Sequence, residues 1–209
     1  MAVEGAFMLE PTVLYLIRHA EPDFGPEGRI CLGDQIDLPL SEAGRIQAAQ
    51  LGERMSDIHL DAIYVSPLLR ARQTADAFLQ DCPRITAAAL TEVGSGEWEG
   101  LRFSDIYLRY PEYFDLTGSD GGKTPPGGES DEEALNRGMS LLDELKEHAG
   151  KTYLLVTHSG IGRILLCHML GFPMHRKRTI PMKYASCTEV IREDGTWKVK
   201  LSEELIGSC

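Results

Sequence analysis

The chain has 209 residues, of which 43% are apolar and 25% are charged, and its formal net charge is −11. This composition is typical of a water-soluble globular protein, and the length favours a single domain over residues 1–209, with a loose arm at 1–11. The excess of negative charge argues against non-specific binding to nucleic acid or to an anionic membrane surface.

The cysteines and the N-terminal segment indicate in which cellular compartment the protein resides. Five cysteines are scattered along the chain without a CxxC pair, which is the pattern of free thiols in a reducing environment. The first residues lack the basic region and apolar run of a signal peptide. No stretch approaches the roughly 18 apolar residues of a membrane span. We therefore expect a cytoplasmic protein that does not contact a membrane.

In the first half of the chain, short apolar runs alternate with helical spacings. The predicted elements are a strand at Thr12–Ile17, a long loop at 20–40, a helix after the N-cap Ser41, a strand at Asp61–Val65, a helix at Leu68–Leu79 opened by Ser66-Pro67, and a strand at Ile85–Thr91. Ser at an N-cap and Pro at the first helical position are the usual signals of a helix start. Long loops in compact domains are usually functional, so the 20–40 segment is expected to border a site.

The second half continues the alternation and ends in strands. The predicted elements are a short helix near Ser104–Tyr110, an exposed loop at Gly118–Gly128, a helix opened by the capping box Ser130–Glu133, a strand at Thr152–Val156, a helix at Gly160–Leu170, and a β-hairpin around Asp194-Gly195. This order predicts an α/β fold, a three-layer α/β/α sandwich with a mostly parallel central sheet and a C-terminal β-hairpin.

Reactive and charged side chains follow the predicted strands. Arg18-His19 follows the first strand, Arg70 lies at the start of the helix after the second, Glu92 follows the third, and His158 follows the fourth. Because the carboxyl ends of parallel strands share one edge of a sheet, these side chains should face one crevice. A cationic cluster in an acidic chain indicates an anion site, most simply for a phosphate.

Each residue taken alone also has a plain structural interpretation. Arg70 fits a cation on a helix surface, and Glu92 fits a solvated carboxylate at a strand end. An Arg-His pair also fits a strand that simply ends in surface residues. These alternatives stay open on the residue pattern alone, and the order of several motifs along the chain bears on them.

Several sequence blocks occur in an order that resembles the histidine phosphatase superfamily, also called the phosphoglycerate mutase-like proteins. The blocks are Arg18-His19-Ala20-Glu21, 37–44 (DLPLSEAG), 66–75 (SPLLRARQTA), Glu92 with 96–100 (GEWEG), Gly128-Glu129-Ser130, and 156–160 (VTHSG). They span about Val13 to Arg163, which is most of the chain. A bare Arg-His-x-Glu would carry little weight, whereas the ordered set is specific.

The resemblance implies a mechanism. His19 would attack phosphorus and carry a phosphohistidine, and neutral imidazole is a good nucleophile near pH 7 because free histidine titrates near ~6.5. Arg18, Arg70 and His158 would hold the non-bridging oxygens of the phosphoryl group. Glu92 would be the general acid that protonates the leaving oxygen, and then the base that activates water.

The remaining site predictions are less specific. Ser159, Gly25 and Arg29 are assigned to substrate binding, although a surface position for Arg29 fits equally well. Gly25 stands where many members of the family carry Asn, so one phosphate contact is expected to be missing or to come from elsewhere in the loop. Arg137 matches a recurrent family position and is interpreted as structural. No metal-ligand spacing is present, so we expect neither a metal nor another cofactor.

The favoured function is a metal-independent phosphatase that hydrolyses a small phosphorylated metabolite. The segment Gly28–Ser41 resembles the α-ribazole phosphatase branch most, which makes α-ribazole 5′-phosphate a candidate substrate. One alternative is phosphoryl transfer of the phosphoglycerate mutase type, but dedicated mutases of the family usually carry an inserted capping segment. Another is a non-catalytic phospho-ligand binding protein, which the complete catalytic set argues against. The oligomeric state is left open, with a homodimer as one option.

Overall fold

A six-stranded mixed sheet forms the centre of the structure, a computed structural model that describes residues 10–26, 28–113, 123–146 and 148–200. The strands are β1 (Thr12–Arg18), β2 (Ala62–Val65), β3 (Arg84–Thr86), β4 (Thr152–Thr157), β5 (Cys187–Glu193) and β6 (Thr196–Lys200). The helices are α1 (Glu42–Arg54), α2 (Leu69–Ala75), α3 (Phe103–Arg109), α4 (Asp131–Lys146) and α5 (Ser159–Leu170). Short 3₁₀ turns lie at Ala88–Leu90, Gly96–Trp98, Pro111–Tyr113 and Met174–Thr179.

The strand order is β3-β2-β4-β1-β5-β6. Strands β1 to β4 run parallel, whereas β5 and β6 are antiparallel and form the predicted C-terminal hairpin. The hairpin turns at Asp194 and Gly195, whose φ angles are 50° and 76°. Positive φ at both central residues is the mirror-image turn that suits the twist of a β-hairpin. The mostly parallel sheet with its C-terminal hairpin is therefore confirmed.

Apolar side chains alternate between the two faces of the sheet, and helices cover both faces. In β2, Tyr64 packs into the core beneath α4 and α5, whereas Ile63 and Val65 pack into the core beneath α1 and α2. In β4, Leu155 belongs to the first core and Leu154 to the second. Strands buried on both faces explain the uninterrupted apolar runs in the sequence. The three-layer α/β/α architecture is confirmed.

The predicted start signals of α1 and α4 occupy their expected places. The Ser41 side chain accepts a hydrogen bond from the Gly44 amide at 2.9 Å, which caps α1. At α4 the Ser130 amide donates to the Glu133 carboxylate at 2.9 Å, and the Glu133 amide donates to Ser130 Oγ at 3.2 Å. This is the reciprocal capping box that the sequence pattern predicted.

Helix α2 is shorter than the predicted Leu68–Leu79. It begins at Leu69 with Leu68 as its N-cap and ends at Ala75, so the prediction that Ser66-Pro67 opens the helix is wrong. The guanidinium of Arg84 donates to the Ala75 carbonyl at 2.8 Å, which satisfies a group that another helical turn would have used. Because Ser66 does not cap the helix, its hydroxyl is free for the contact described below.

Strand β3 is also shorter than predicted. It ends at Thr86, and a 3₁₀ turn at Ala88–Leu90 follows where the prediction continued the strand to Thr91. The alanines of this segment favour a pleated strand only weakly. Glu92 therefore follows a turn, and its position depends on the turn and on the helix that it contacts.

Parts of the predictions lie outside the described residues, namely the arm over residues 1–9 and the 114–122 portion of the chain, which includes the first five residues of the predicted exposed loop at 118–128. Over the ranges that the structure covers, none of the helices combines the length and the apolar character needed to cross a bilayer.

Candidate active site

The two histidines predicted to be catalytic lie side by side at the carboxyl ends of β1 and β4. The parallel register pairs Arg18 with Thr157, so the residues that follow, His19 and His158, leave the sheet next to each other. Their ring centroids are 4.9 Å apart. His19 is 4% exposed and His158 is fully buried. Two central strands thus position both imidazoles rigidly.

The protonation state of His19 follows from its contacts. Its Nδ1 lies 2.7 Å from the Ala20 carbonyl oxygen, which can only accept, so Nδ1 carries the proton and Nε2 keeps its lone pair. Burial, and then the positive charge of Arg70, lowers the pKa of His19 well below its usual value. The ring is therefore neutral at pH 7, with Nε2 available as a nucleophile.

This assignment predicts a spectroscopic result. In ¹⁵N NMR spectra of the ligand-free protein, we expect His19 to remain the neutral Nδ1–H tautomer as the pH falls through the ordinary histidine pKa of about 6.5. The physical reason is that a buried imidazolium would be poorly solvated and would lie beside the positively charged Arg70 guanidinium. The His19 signals are assigned as those that are missing from the spectrum of the His19→Ala variant. Protonation of this ring at or above that pH would contradict the assignment.

His158 presents a buried donor. Its Nε2 lies 2.7 Å from Ser66 Oγ. Ser66 Oγ also accepts from the Leu68 amide at 3.4 Å. When the Ser66 hydroxyl donates its proton to His158 Nε2, the ring proton sits on Nδ1. That Nδ1 is buried and has no hydrogen-bond partner among the described residues. Burial lowers the pKa of His158 well below its usual value, so the ring is a neutral donor.

Arg70 is held by the 20–40 loop. Its guanidinium donates to the carbonyl of Gly33 and to that of Ile36, each at 2.9 Å. The Asp37 carboxylate lies 3.8 Å away, and the Arg70 side chain is 1% exposed. Two carbonyl contacts fix the direction of a rigid guanidinium without neutralising its charge. The long loop thus positions a cation beside the histidines.

Arg18 is the second arginine beside the two histidines. Its guanidinium donates to the Met182 carbonyl at 2.6 Å and stacks 3.8 Å from the centroid of the Tyr184 ring. Burial lowers its pKa to about 10, and it remains charged at pH 7. The Nε atoms of Arg18 and Arg70, like Nδ1 of His158, are buried without a partner in the part of the chain that the structure describes. Buried donors of this kind favour a ligand with several acceptor oxygens.

Glu92 lies at the N-terminus of α5. Its carboxylate accepts hydrogen bonds from the amides of Gly160 at 3.0 Å, Ile161 at 3.2 Å and Val93 at 2.9 Å. A Cβ atom on Gly160 would lie 2.4 Å from the Glu92 carboxylate, so this contact requires a glycine. The first amides of a helix attract negative charge. They place the Glu92 carboxyl group at the same crevice as His19.

Arg137 fixes the backbone around Glu92. Its guanidinium donates to the carbonyls of Ala89 at 2.8 Å and Glu92 at 3.3 Å. The same guanidinium forms two hydrogen bonds with the Glu129 carboxylate, at 2.6 and 2.9 Å. Arg137 therefore has a structural role, as predicted, because it connects α4 to the segment that carries Glu92.

A cavity of about 300 Å³ opens at this edge of the sheet. The predicted site residues among its lining are Arg18, His19, Arg29, Arg70, Glu92 and Ser159. Neither His158, whose ring is 4.9 Å from that of His19, nor Gly25, with φ at 60°, is among the lining residues. The structure thus brings together most of the predicted residues, and it leaves Gly25 apart from them.

Further residues that the sequence interpretation did not single out line the same cavity. They are chiefly Arg163, Lys177, Arg178, Trp98, Phe103 and Tyr184. Arg163 lies four residues after Ser159 on α5, on the same helical face, so its spacing is a signal that could have identified it. Of the aromatic residues, Trp98 ends a 3₁₀ turn, Phe103 begins the short helix α3, and Tyr184 lies in a turn, so periodicity gives little indication of their direction.

Comparison with known proteins identifies the family of the chain. The chain matches the histidine phosphatase superfamily (branch 1) over residues 14–204. It is 34% identical over 167 residues to Phosphoserine phosphatase 1 from Hydrogenobacter thermophilus, with 78% of each chain covered. The family resemblance inferred from the motifs is confirmed.

Solved structures share the fold. Bacillus stearothermophilus YhfR superposes with a TM-score of 0.82 at 31% identity, covering 91% of this chain and 96% of that one. The alpha-ribazole phosphatase from Shigella flexneri superposes with a TM-score of 0.77 at 24% identity, covering 90% and 95% of the two chains. Because its sequence identity is only 24%, the similarity to the Shigella flexneri protein supports the fold alone. A phosphoglycerate mutase-like fold is confirmed.

Proposed function

This chain belongs to the histidine phosphatase superfamily and is a phosphatase, and we propose that it hydrolyses a small phosphomonoester through a phosphohistidine on His19. The observation that carries the proposal is the free Nε2 lone pair of a buried, neutral His19 beside Arg18 and Arg70. The unpartnered donors around it match the oxygens of a phosphoryl group. His158 adds an uncharged donor to the same set.

In the first step, His19 Nε2 attacks phosphorus as the bond from phosphorus to the ester oxygen breaks. The proton of the Glu92 carboxyl group passes to that oxygen, so an alcohol leaves. The Nδ1–H contact with the Ala20 carbonyl supports the positive charge that develops on the ring. Arg18 and Arg70 stabilise the negative charge of the transferred group throughout.

In the second step, the Glu92 carboxylate takes a proton from water, whose oxygen attacks phosphorus as the bond to Nε2 breaks. Inorganic phosphate leaves, His19 is neutral again, and Glu92 carries the proton for the next cycle. Because the acceptor is water, the proposal is tested by measuring release of inorganic phosphate. Transfer of phosphate to a second hydroxyl, with none released, would indicate a mutase instead.

Two observations bear on the substrate. Residues 28–41 resemble the α-ribazole phosphatase branch, which makes α-ribazole 5′-phosphate one candidate. The name of the relative from Hydrogenobacter thermophilus makes L-phosphoserine another. Turnover of both compounds, measured as phosphate release under identical conditions, ranks the two candidates.

Metal independence is part of the proposal. The charge of the phosphoryl group is met by arginines, which cannot ligate a cation, and Glu92 already accepts from three backbone amides. We expect excess EDTA to leave hydrolysis of p-nitrophenyl phosphate unchanged within about twofold. Activity that disappears with EDTA and returns with a divalent cation would contradict metal independence, and a known metal-dependent phosphatase assayed in parallel provides the control.

A further inference from the structure

The hydroxyl of Ser66 is buried against the imidazole ring of His158. The two groups meet because β2 and β4 are neighbouring parallel strands, with Val65 paired to Val156, and each group follows shortly after its strand. The Ser66 amide donates to the Val156 carbonyl at 3.0 Å, which extends the pairing of the strands by one bond. Pro67 restricts the residue before it to an extended backbone. The sheet thus fixes the 2.7 Å distance between Ser66 Oγ and His158 Nε2.

The direction of this hydrogen bond decides which nitrogen of the His158 ring carries the proton. A neutral imidazole has one N–H and one lone pair, whereas a hydroxyl both donates and accepts. If Ser66 donates, Nε2 supplies its lone pair and the proton sits on Nδ1. If Nε2 donates, Nδ1 holds the lone pair. In either case the buried Nδ1 has no partner among the described residues.

The hydroxyl proton of Ser66 distinguishes the two directions. Over the described residues, Ser66 Oγ has two hydrogen-bond partners, the His158 ring and the Leu68 amide. The amide can only donate, so His158 Nε2 is the acceptor that the described residues offer to this proton. A proton on Nε2 would leave the hydroxyl proton buried without an acceptor, in addition to the unpartnered Nδ1. Because each buried polar group without a partner costs free energy, the hydroxyl is the donor.

The resulting Nδ1–H suits the charge of its surroundings. Arg70 and Arg18 lie close enough to His158 for their positive charges to act on its ring. The Nε atoms of both arginines are buried and, within the described residues, lack partners, as His158 Nδ1 does. An N–H at this place adds a third donor for an anionic oxygen, whereas a lone pair would repel that oxygen.

We propose that Ser66 is a positioning residue for phosphoryl transfer, and that its hydroxyl holds His158 in the tautomer whose Nδ1–H donates to a phosphoryl oxygen. The proposal rests on the proposed function, since the transferred phosphoryl group is the acceptor. Ser66 is fully buried and is not among the residues that line the cavity. It therefore acts through His158, and its effect should vanish once that ring is removed.

The tautomer of His158 is measured directly in the ligand-free wild-type protein. In two-dimensional ¹⁵N NMR spectra, we expect Nδ1 of His158 to be protonated and Nε2 to be unprotonated. The His158 signals are identified as those missing from the spectrum of His158→Ala. In Ser66→Ala, we expect the Nε2–H form to appear, because the donor to Nε2 is gone. A wild-type ring with its proton on Nε2, or a tautomer unchanged in Ser66→Ala, overturns the proposal.

A double-mutant cycle tests whether Ser66 acts through His158. We expect Ser66→Ala to lower kcat/KM for p-nitrophenyl phosphate roughly tenfold, the usual worth of one hydrogen bond. In the His158→Ala background, the same substitution should change kcat/KM by no more than about twofold. A loss by the same factor in both backgrounds would indicate a role independent of His158 and would overturn the proposal.

Two further variants separate this effect from the loss of any buried hydroxyl. Ser66→Thr keeps the hydroxyl and should retain most of the activity that Ser66→Ala loses. Thr12→Val is the matched control, because Thr12 is buried and its hydroxyl donates to the His148 carbonyl at 3.1 Å, at the opposite end of β1 from the site. It should leave kcat/KM unchanged. A Thr12→Val loss equal to that of Ser66→Ala would count against a specific role of Ser66.

The outcomes separate this proposal from the function on which it rests. Hydrolysis of p-nitrophenyl phosphate by a wild-type protein whose His158 carries its proton on Nε2 overturns the role of Ser66 alone. If the Ser66 variants do not fold, the wild-type tautomer still decides. Failure of the wild-type protein to hydrolyse any phosphomonoester overturns the proposed function, and the present proposal with it.

Discussion

Replacing His19 with alanine is expected to lower turnover by more than about 10⁴-fold, because no other side chain among the described residues presents a lone pair at the same point. The imidazole Nε2 forms the bond to phosphorus in the proposed reaction. Alanine removes that atom and leaves Arg18, Arg70 and His158 in place. Phosphomonoesters would still bind the variant, so the loss should appear in kcat.

The chemical signature of this step is a phosphoenzyme. Wild-type protein quenched during turnover should carry acid-labile, base-stable phosphate on His19, and His19→Ala should carry none. His175→Ala is the matched control, since His175 is exposed and outside the cavity lining, and it should retain wild-type activity. A His19→Ala enzyme that retained most of its activity would exclude His19 as the nucleophile.

Much of the fold could be predicted from the sequence because its central strands are buried on both faces. Runs such as 14–17 and 153–156 are continuously apolar, and charged residues follow them where the strands leave the core. The parallel pairing of β1 with β4, which only the structure shows, then puts His19 and His158 side by side. The N-cap of α1 and the capping box of α4 involve residues only a few positions apart, so they can also be recognised in the sequence.

The rest depends on contacts between distant segments. Ser66 has the form of an N-cap, but its hydroxyl faces His158, which is 92 residues away. Glu92 is positioned by the amides of α5 and by Arg137, whereas the predicted strand before it gives way to a 3₁₀ turn. Arg163 lies on α5, but the other cations of the lining outside the phosphoryl pocket, such as Lys177 and Arg178, come from short or irregular segments without periodicity. Local propensity carries no signal for any of these contacts.

Substitution of Glu92 by glutamine is expected to separate substrates by their leaving groups. Glutamine keeps an oxygen that can accept from the Gly160 amide, so the local structure is preserved, but it cannot supply a proton as a carboxylic acid does. An alkoxide leaves poorly without that proton, whereas nitrophenolate leaves with little help. Formation of the phosphoenzyme from an alkyl phosphate should therefore slow by roughly 10²- to 10⁴-fold. Formation from p-nitrophenyl phosphate should change far less.

Arg70→Ala provides the contrast, because Arg70 serves the phosphoryl group that both substrates share. It should slow both substrates by similar factors, whereas Glu92→Gln should slow mainly one. Rapid-quench measurement of single-turnover phosphoenzyme formation gives each rate directly, separate from the hydrolysis step in which Glu92 acts as base. If Glu92→Gln slows both substrates equally, Glu92 is not the general acid. Glu129 would then be the next carboxylate to test, since it lines the same cavity and only its pairing with Arg137 argues against the role.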